Sequence, residues 1–190
     1  MCKSFIVLAT VATYGVLTGC AISVPTTSYM PQNIVRYEYK NSVDMGVFTY
    51  EPEIKKIVEA NQVQLVGLGE MYISTSVSEM VKRATGLELE KTGVVINELS
   101  EIVISGDVLE LKANVIGLSM TWDYIIRYKI LQKKDQRVLL SKEFKTPTKR
   151  TGKFNQPADY AYVLHDLVLT GYDMFIRDPE VRRLLDVPPL

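Results

Sequence analysis

The chain has 190 residues, with 22 basic side chains against 22 acidic ones, one histidine and two cysteines. A balance this even offers no global field to attract nucleic acid or an anionic surface. A single histidine excludes a histidine-rich zinc site and obliges any Ser-His-Asp arrangement to use His165.

Met1-Cys2-Lys3 gives a short basic start before a mostly apolar run from Phe5 to Leu17. As a helix that run spans only about 20 Å, against roughly 30 Å of bilayer hydrocarbon. It therefore fits the core of a cleavable signal better than a permanent transmembrane helix. The run ends in Leu17-Thr18-Gly19-Cys20, which closely resembles the lipobox of bacterial lipoproteins. Small residues at Thr18 and Gly19 let an extended backbone enter a peptidase, and the Cys20 thiol supplies the atom to be acylated. The resemblance implies cleavage before Cys20, a thioether-linked diacylglycerol on its sulfur, and usually a third chain on the new amine. At about 0.8 kcal/mol per buried methylene, two or more chains make a stable anchor where one is marginal. An ordinary secretory signal with an incidental cysteine is the alternative. Ala21 follows, and in diderm bacteria lipoproteins without aspartate at that position are moved to the outer membrane. The expected location is thus the outer membrane, lipid-anchored and facing the periplasm. Cys2 leaves with the signal and Cys20 is consumed by lipid, so no thiol remains for disulfide or nucleophilic work.

The organisation expected is a signal over 1–19, a lipidated tether over 20–33, and one domain over 34–190. Ala21 to Asn33 is polar, contains Pro25 and Pro31, and lacks hydrophobic period, as a linker does. Partial alternation from Ile34 to Tyr50 (Val35, Tyr37, Tyr39; Val43, Met45, Val47) predicts one or two strands, broken by Glu51-Pro52. Glu53 to Glu59 reads as a short helix and Gln62 to Tyr72 as an extended segment. A helix is predicted over Val77 to Thr92. Ser76 and Glu79 form a capping-box pattern, Val77, Met80, Val81, Ala84 and Leu87 recur at helical spacing, and Gly93 suits a left-handed stop. Gly86 inside this helix costs up to about 1 kcal/mol against alanine and suggests a close approach to a sheet.

Three strands follow. The first runs from Ile102 to Ile116 with Leu109, Leu111, Ala113 and Val115 on one face. Ile102 and Ile104 fall in the opposite phase, which requires a bulge or bend near Gly106-Asp107. After a turn at Gly117-Leu118-Ser119, the second strand sets Trp122, Tyr124, Ile126, Tyr128 and Ile130 on one side. Asp135-Gln136 lies in the next turn, and Val138 to Phe144 returns as the third strand of an antiparallel meander. Lys145 to Pro157 reads as a loop. Pro157 to Phe175 is a second amphipathic helix with Ala161, Leu164, His165, Val168, Tyr172 and Phe175 near one stripe, and Asp178-Pro179 opens a last short helix. The fold class expected is α+β: a two-layer sandwich in which an antiparallel sheet, the meander plus an N-terminal strand, is packed by two main helices.

From about Ser74 onward this pattern resembles the YajG-like group of bacterial lipoproteins. The resemblance rests on the helix Ser76 to Leu89, closed by Glu88-Leu89-Glu90-Lys91-Thr92-Gly93-Val94, and on the strand Ile102-Val103-Ile104-Ser105-Gly106-Asp107-Val108. It extends through Trp122-Asp123-Tyr124 with Tyr128, Gly152-Lys153-Phe154, and a helix ending in Asp178-Pro179. More distantly, the layout is similar to accessory lipoproteins of lipid-transport machines. The resemblance implies an envelope lipoprotein with a periplasmic α+β domain and no established enzymatic activity.

Several residues invite a sharper reading. His165 could act as a general base, but its place on an apolar helical stripe favours a packed histidine. Gly67-Leu68-Gly69 lacks the third glycine and the strand–helix setting of a phosphate loop. No calcium loop or HExxH helix occurs, and neither a metal nor a cofactor is expected. Glu88, Glu90, Glu98 and Glu101 read as solvated. Lys145, Lys149, Arg150 and Lys153 form a run without an acid between them, a solvated loop or a contact for an anionic partner. Trp122, Tyr124 and Tyr128 form an aromatic row, either core or a contact for a partner or glycan. Two function classes follow: a non-enzymatic accessory or assembly component of an envelope complex, or a lipid- or glycan-binding module. The partners expected are the membrane, through Cys20, and other envelope proteins.

Overall fold

The computed structural model describes residues 21–26, 29–32, 39–67 and 69–185, so the signal and Leu17, Thr18, Gly19 and Cys20 lie outside the described residues. The chain is α+β, with twelve elements in the order β1 (Ala21–Val24), β2 (Asp44–Tyr50), α1 (Glu51–Ile54), β3 (Gln62–Val66), β4 (Glu70–Ile73), α2 (Val77–Thr92), β5 (Ile102–Ile116), β6 (Ser119–Gln132), β7 (Arg137–Lys145), β8 (Lys149–Gly152), α3 (Pro157–Ile176) and α4 (Pro179–Leu184).

The long β5–β6 hairpin is the spine of the sheet, paired antiparallel from Ile102↔Gln132 to Ile116↔Ser119. Each of its strands is long enough to carry two neighbours on its free edge. β5 pairs parallel with β2 along its first half and with β3 along its second. β6 pairs antiparallel with β7 and then with β8. β4 follows β3 antiparallel, and β1 closes that edge parallel to β4. The sheet is therefore mixed and eight-stranded, larger than the antiparallel sheet expected from sequence.

Side-chain alternation explains which face is buried. Trp122, Tyr124, Ile126, Tyr128 and Ile130 on β6 are all fully buried, as their period-2 spacing predicts. On β5 the inward phase changes from Ile104 and Val108 to Leu111 and Ala113, and the register shift falls between Val108 and Glu110. The bulge or bend that this change of phase requires is a bulge at Leu109, beyond Gly106-Asp107.

α2 and α3 cover this face together. The Ser76 hydroxyl caps α2 by accepting from the Glu79 N–H at 3.2 Å, and Gly93 ends it at φ 103°. α3 begins in a capping box between Gln156 and Asp159 and lies close on β6: a Cβ at Gly171 would come within 2.9 Å of the Tyr124 ring. At Gly86, by contrast, the nearest side-chain atom would be Ile96 Cδ1 at 3.7 Å, ordinary contact, so that glycine marks no tight approach to the sheet. The aromatic layer between is dense, with Tyr128 stacked on Phe175 at 4.4 Å between ring centroids.

Four stretches differ from expectation. The segment expected as a tether begins with strand β1, in which Val24 is fully buried, and continues to a buried Tyr29. Gln62 to Tyr72 is two strands, because Gly67 and Gly69 at positive φ turn the chain between them. The loop after Lys145 contains β8, which extends the sheet beside β6. Near the start, the helix expected over Glu53 to Glu59 is the single turn α1 around Pro52, and a register shift between Met45 and Phe48 leaves Val47 exposed and buries Phe48.

Candidate functional site

The sheet face turned away from α2 and α3 carries an open cleft of about 530 Å³. Alternation puts its lining there: Val103, Ser105 and Asp107 are out of phase with the inward Ile104 and Val108, and Lys129 and Leu131 with Tyr128 and Ile130. Gly46 forms part of the floor because β2 passes close to β5; a Cβ there would meet Val103 Cγ1 at 2.7 Å. Val47, Val103, Leu131 and Val138 make an apolar wall. The other end is polar and internally compensated. Asp107 accepts from the Thr49 hydroxyl at 2.9 Å and pairs with Lys129 at 2.5 Å and Arg127 at 3.7 Å, while Arg127 also reaches Glu143 at 2.5 Å.

A cleft of this size and lining can hold an apolar or amphipathic group against the sheet. It holds two serines, Ser105 and Ser141, but the chain's one histidine lies in the other layer, on α3. No serine–histidine pair is therefore built there. Among the described residues no three His, Cys, Asp or Glu side chains gather as a metal site, and no helix is long and apolar enough to cross a membrane.

His165 packs edge-on to the Tyr29 ring at 5.1 Å and borders a smaller hollow of about 200 Å³ with Pro25, Ala158, Ala161 and Tyr162. Burial pushes its pKa below the usual histidine value, against a backbone hydrogen bond involving Thr26 that pushes the other way. Its Nε2 has no hydrogen-bond partner among the described residues. The ring thus packs against Tyr29, and its burial favours the neutral form.

The four cations of the run from Lys145 to Lys153 are not brought into one patch. Lys145 ends β7, and Lys149 is paired with Asp166 at 2.7 Å. Arg150 donates to the Ser119 hydroxyl at 3.0 Å, and Lys153 lies 5.6 Å from the Phe154 ring centre. Arg150 and Lys153 both lie beside the β5–β6 turn, the first through the Ser119 hydroxyl and the second through its N–H to the Leu118 carbonyl. Trp122, Tyr124 and Tyr128 are fully buried, so the aromatic row is core and presents nothing to a partner.

Sequence reasoning placed Glu88 on a solvated face, yet it is fully buried. It accepts from the Tyr29 hydroxyl at 2.6 Å and from the Gln32 N–H at 2.9 Å, which fixes the N-terminal segment to α2. Burial and this carboxylate together push the Tyr29 pKa far above its ordinary value. One turn either side on the same face, Thr85 meets the Tyr128 hydroxyl at 3.0 Å and Thr92 meets that of Tyr172 at 2.7 Å. The signal was present in the sequence, because Val81, Thr85, Glu88 and Thr92 fall on one helical stripe.

No protein-family model matches the sequence, and no curated protein does either. Among solved structures, a Xanthomonas campestris protein described by the family model DUF330 superposes with a TM-score of 0.59 at 12% identity, over 88% of this chain and 98% of its own. A Neisseria meningitidis lipoprotein gives a TM-score of 0.39 at 10% identity, over 68% and 95%. The PelC dodecamer from Paraburkholderia phytofirmans gives 0.39 at 12% identity, over 75% and 90%. The first of these shows a shared fold along most of both chains. The other two scores are too low to extend it, and the narrower YajG-like resemblance is matched by no family model.

Proposed function

We propose that this chain is an outer-membrane lipoprotein, anchored through acylated Cys20 and facing the periplasm, that acts as a non-enzymatic accessory or assembly component of an envelope complex. The observation that carries this is the sequence Leu17-Thr18-Gly19-Cys20 at the end of an apolar run, followed at once by a folded domain whose first strand begins at Ala21. An acyl anchor directly before a structured domain holds that domain at the bilayer surface, where an assembly role needs it. The sole histidine lies in a different layer from the serines of the cleft, which speaks against acyl-transfer chemistry there.

A second reading, a lipid- or glycan-binding module, has the open cleft as its site. Its apolar wall and compensated polar end suit an amphipathic ligand better than a charged one.

Intact-mass measurement of the protein extracted from membranes tests the anchor: a start at Cys20 carrying acyl chains is expected, and Cys20→Ser should leave the membrane fraction. An unacylated native chain, or a Cys20→Ser form that still fractionates with membranes, would remove it. Crosslinking followed by affinity purification tests the accessory role, which recovery of monomer alone would refute.

A further inference from the structure

We infer that the turn end of the β5–β6 hairpin, with the loop after β8, is a second, non-covalent contact with the same bilayer that holds the acylated residue; this rests on the anchoring reading above.

The topology brings one end of the sheet together. Ala21, one residue after Cys20, pairs with Glu70 at the start of β4. β3 runs past that level, and its last residue, Val66, pairs with Asn114 near the end of β5. Gly67 follows, where an added Cβ would lie 3.5 Å from Val115. The hairpin turns from Ile116 to Ser119, Ser119 pairs with Gly152 on β8, and the Lys153 N–H donates to the Leu118 carbonyl at 3.0 Å. Six strands share this end, a width of about 24 Å at the usual strand spacing.

What it exposes is apolar at its furthest point. Leu118 is 77% exposed, Phe154 79%, Ile116 61% and Val66 46%. Single exposed apolar residues are ordinary on a protein surface, but four at the tips of neighbouring turns are not. Arg150 and Lys153 stand beside them and form no ion pair among the described residues. The two acids of this edge are exposed and hydrogen-bonded within their own segments: Glu70 accepts from the Tyr72 hydroxyl and Asp159 from the Gln156 N–H. Charge is thus close to balanced across the edge, and the apolar tip makes the contact while the two cations meet lipid phosphates.

Position selects the occupant. The register level of Ala21 is that of Lys112, so the hairpin runs four residues further, about 13 Å of strand. A head-group layer is only about 5–7 Å thick, and sheet twist shortens the reach without removing it. With residue 20 held at the interface, the tip of Ile116 and Leu118 meets the hydrocarbon boundary. Polar residues there would be costly; these are not polar.

The test uses the full-length, membrane-extracted protein reconstituted into vesicles of phosphatidylethanolamine and phosphatidylglycerol, some with nitroxide-bearing acyl chains. Leu118→Cys and Phe154→Cys place single thiols at the tip, and Leu99→Cys places one at the opposite end, where Leu99 is equally exposed. After attachment of a fluorophore, lipid-borne quencher should reduce emission at 118 and 154 severalfold more than at 99. Equal quenching at all three sites, or none, in protein whose mass carries the acyl chains would overturn the contact and leave the anchor standing. Crosslinking between chains through residue 118 in place of quenching would overturn it in favour of a second copy. A free Cys20 thiol together with quenching at 118 would keep the contact and remove the anchor; a free thiol without quenching would remove both.

Discussion

Replacing Glu88 by alanine is the perturbation most directly worked from the structure. Among the described residues the change deprives the Tyr29 hydroxyl, at 2.6 Å, and the Gln32 N–H, at 2.9 Å, of their acceptor. Tyr29 is buried, and an orphaned buried donor costs about 1–3 kcal/mol. Gln32 is exposed enough to recover water, so it adds less. A loss of roughly 2–4 kcal/mol is expected, which for a domain of this size lowers Tm by roughly 5–15 °C. Glu88→Gln keeps an acceptor of the same shape and should lose about 1 kcal/mol. The assay is equilibrium urea unfolding of both variants and of Tyr29→Phe. A coupling of at least about 1 kcal/mol is expected between the Glu88 and Tyr29 substitutions, since they share one bond. Glu88→Ala within about 0.5 kcal/mol of wild type, or strict additivity with Tyr29→Phe, would refute the claim that this carboxylate fastens the N-terminal segment to α2.

Two glycines inside helices should respond oppositely to alanine. Gly171→Ala sets a Cβ 2.9 Å from the Tyr124 ring and 3.3 Å from Ile126, and overpacking should exceed the gain in helix propensity by about 1–2 kcal/mol. Gly86→Ala meets only ordinary contacts and should stabilise by up to about 1 kcal/mol; the unfolding midpoints of the two variants check both signs. Asp178 should leave its mark in acid. Burial raises its pKa, but hydrogen bonds from Lys142 and from the N–H groups of Glu180 and Val181 outweigh burial and hold the carboxyl below its ordinary value. A depressed folded pKa gives stability that is present above the unfolded value near 4 and is lost as pH falls through the folded one. Asp178→Asn should therefore be less stable than wild type at pH 7 and converge with it towards pH 2 in a urea titration; a constant difference across that range would contradict this.

The parts of the fold legible in the sequence are those whose signal is local. β6 spells out its buried face in successive alternate residues, and α2 carries Ser76 and Gly93 as boundary signals; both formed where their residues specify. The parts that were not legible depend on a distant partner. Ala21–Val24 is four residues long and becomes a strand only because β4 offers a free edge, and β8 exists because β6 outruns β7. The bulge on β5 was legible as a change of phase but not to the residue, because leucine and valine at 108, 109 and 111 fit either side of it. Glu88 was misplaced by its charge, although its helical position agreed with its buried neighbours. The cleft had no signature at all. It is assembled from β2, β5, β6 and β7, and its closest approach depends on Gly46 lying against Val103.

The cleft and the apolar turns lie at opposite ends of one hairpin, and that separation constrains how the proposed role can work. From Ile116 to Val103 the strand runs thirteen residues, about 43 Å at the usual rise. If the turn end rests on the bilayer, Val103, Leu131 and Val138 are carried well beyond the head groups. An amphipathic ligand in the cleft could not then slide in from the anchoring membrane and would have to arrive from another protein or from the periplasm. A protein partner meets the opposite condition, because β1 begins one residue after Cys20 and allows no tether for the domain to search on. A complex that engages the cleft must itself reach to within that distance of the membrane. Inserting a flexible Gly/Ser segment between Cys20 and Ala21 separates the possibilities: it should weaken assembly with a partner of fixed height and leave uptake of a diffusing ligand unchanged. Assembly that tolerates long insertions would show that the height of the domain does not matter to its partner.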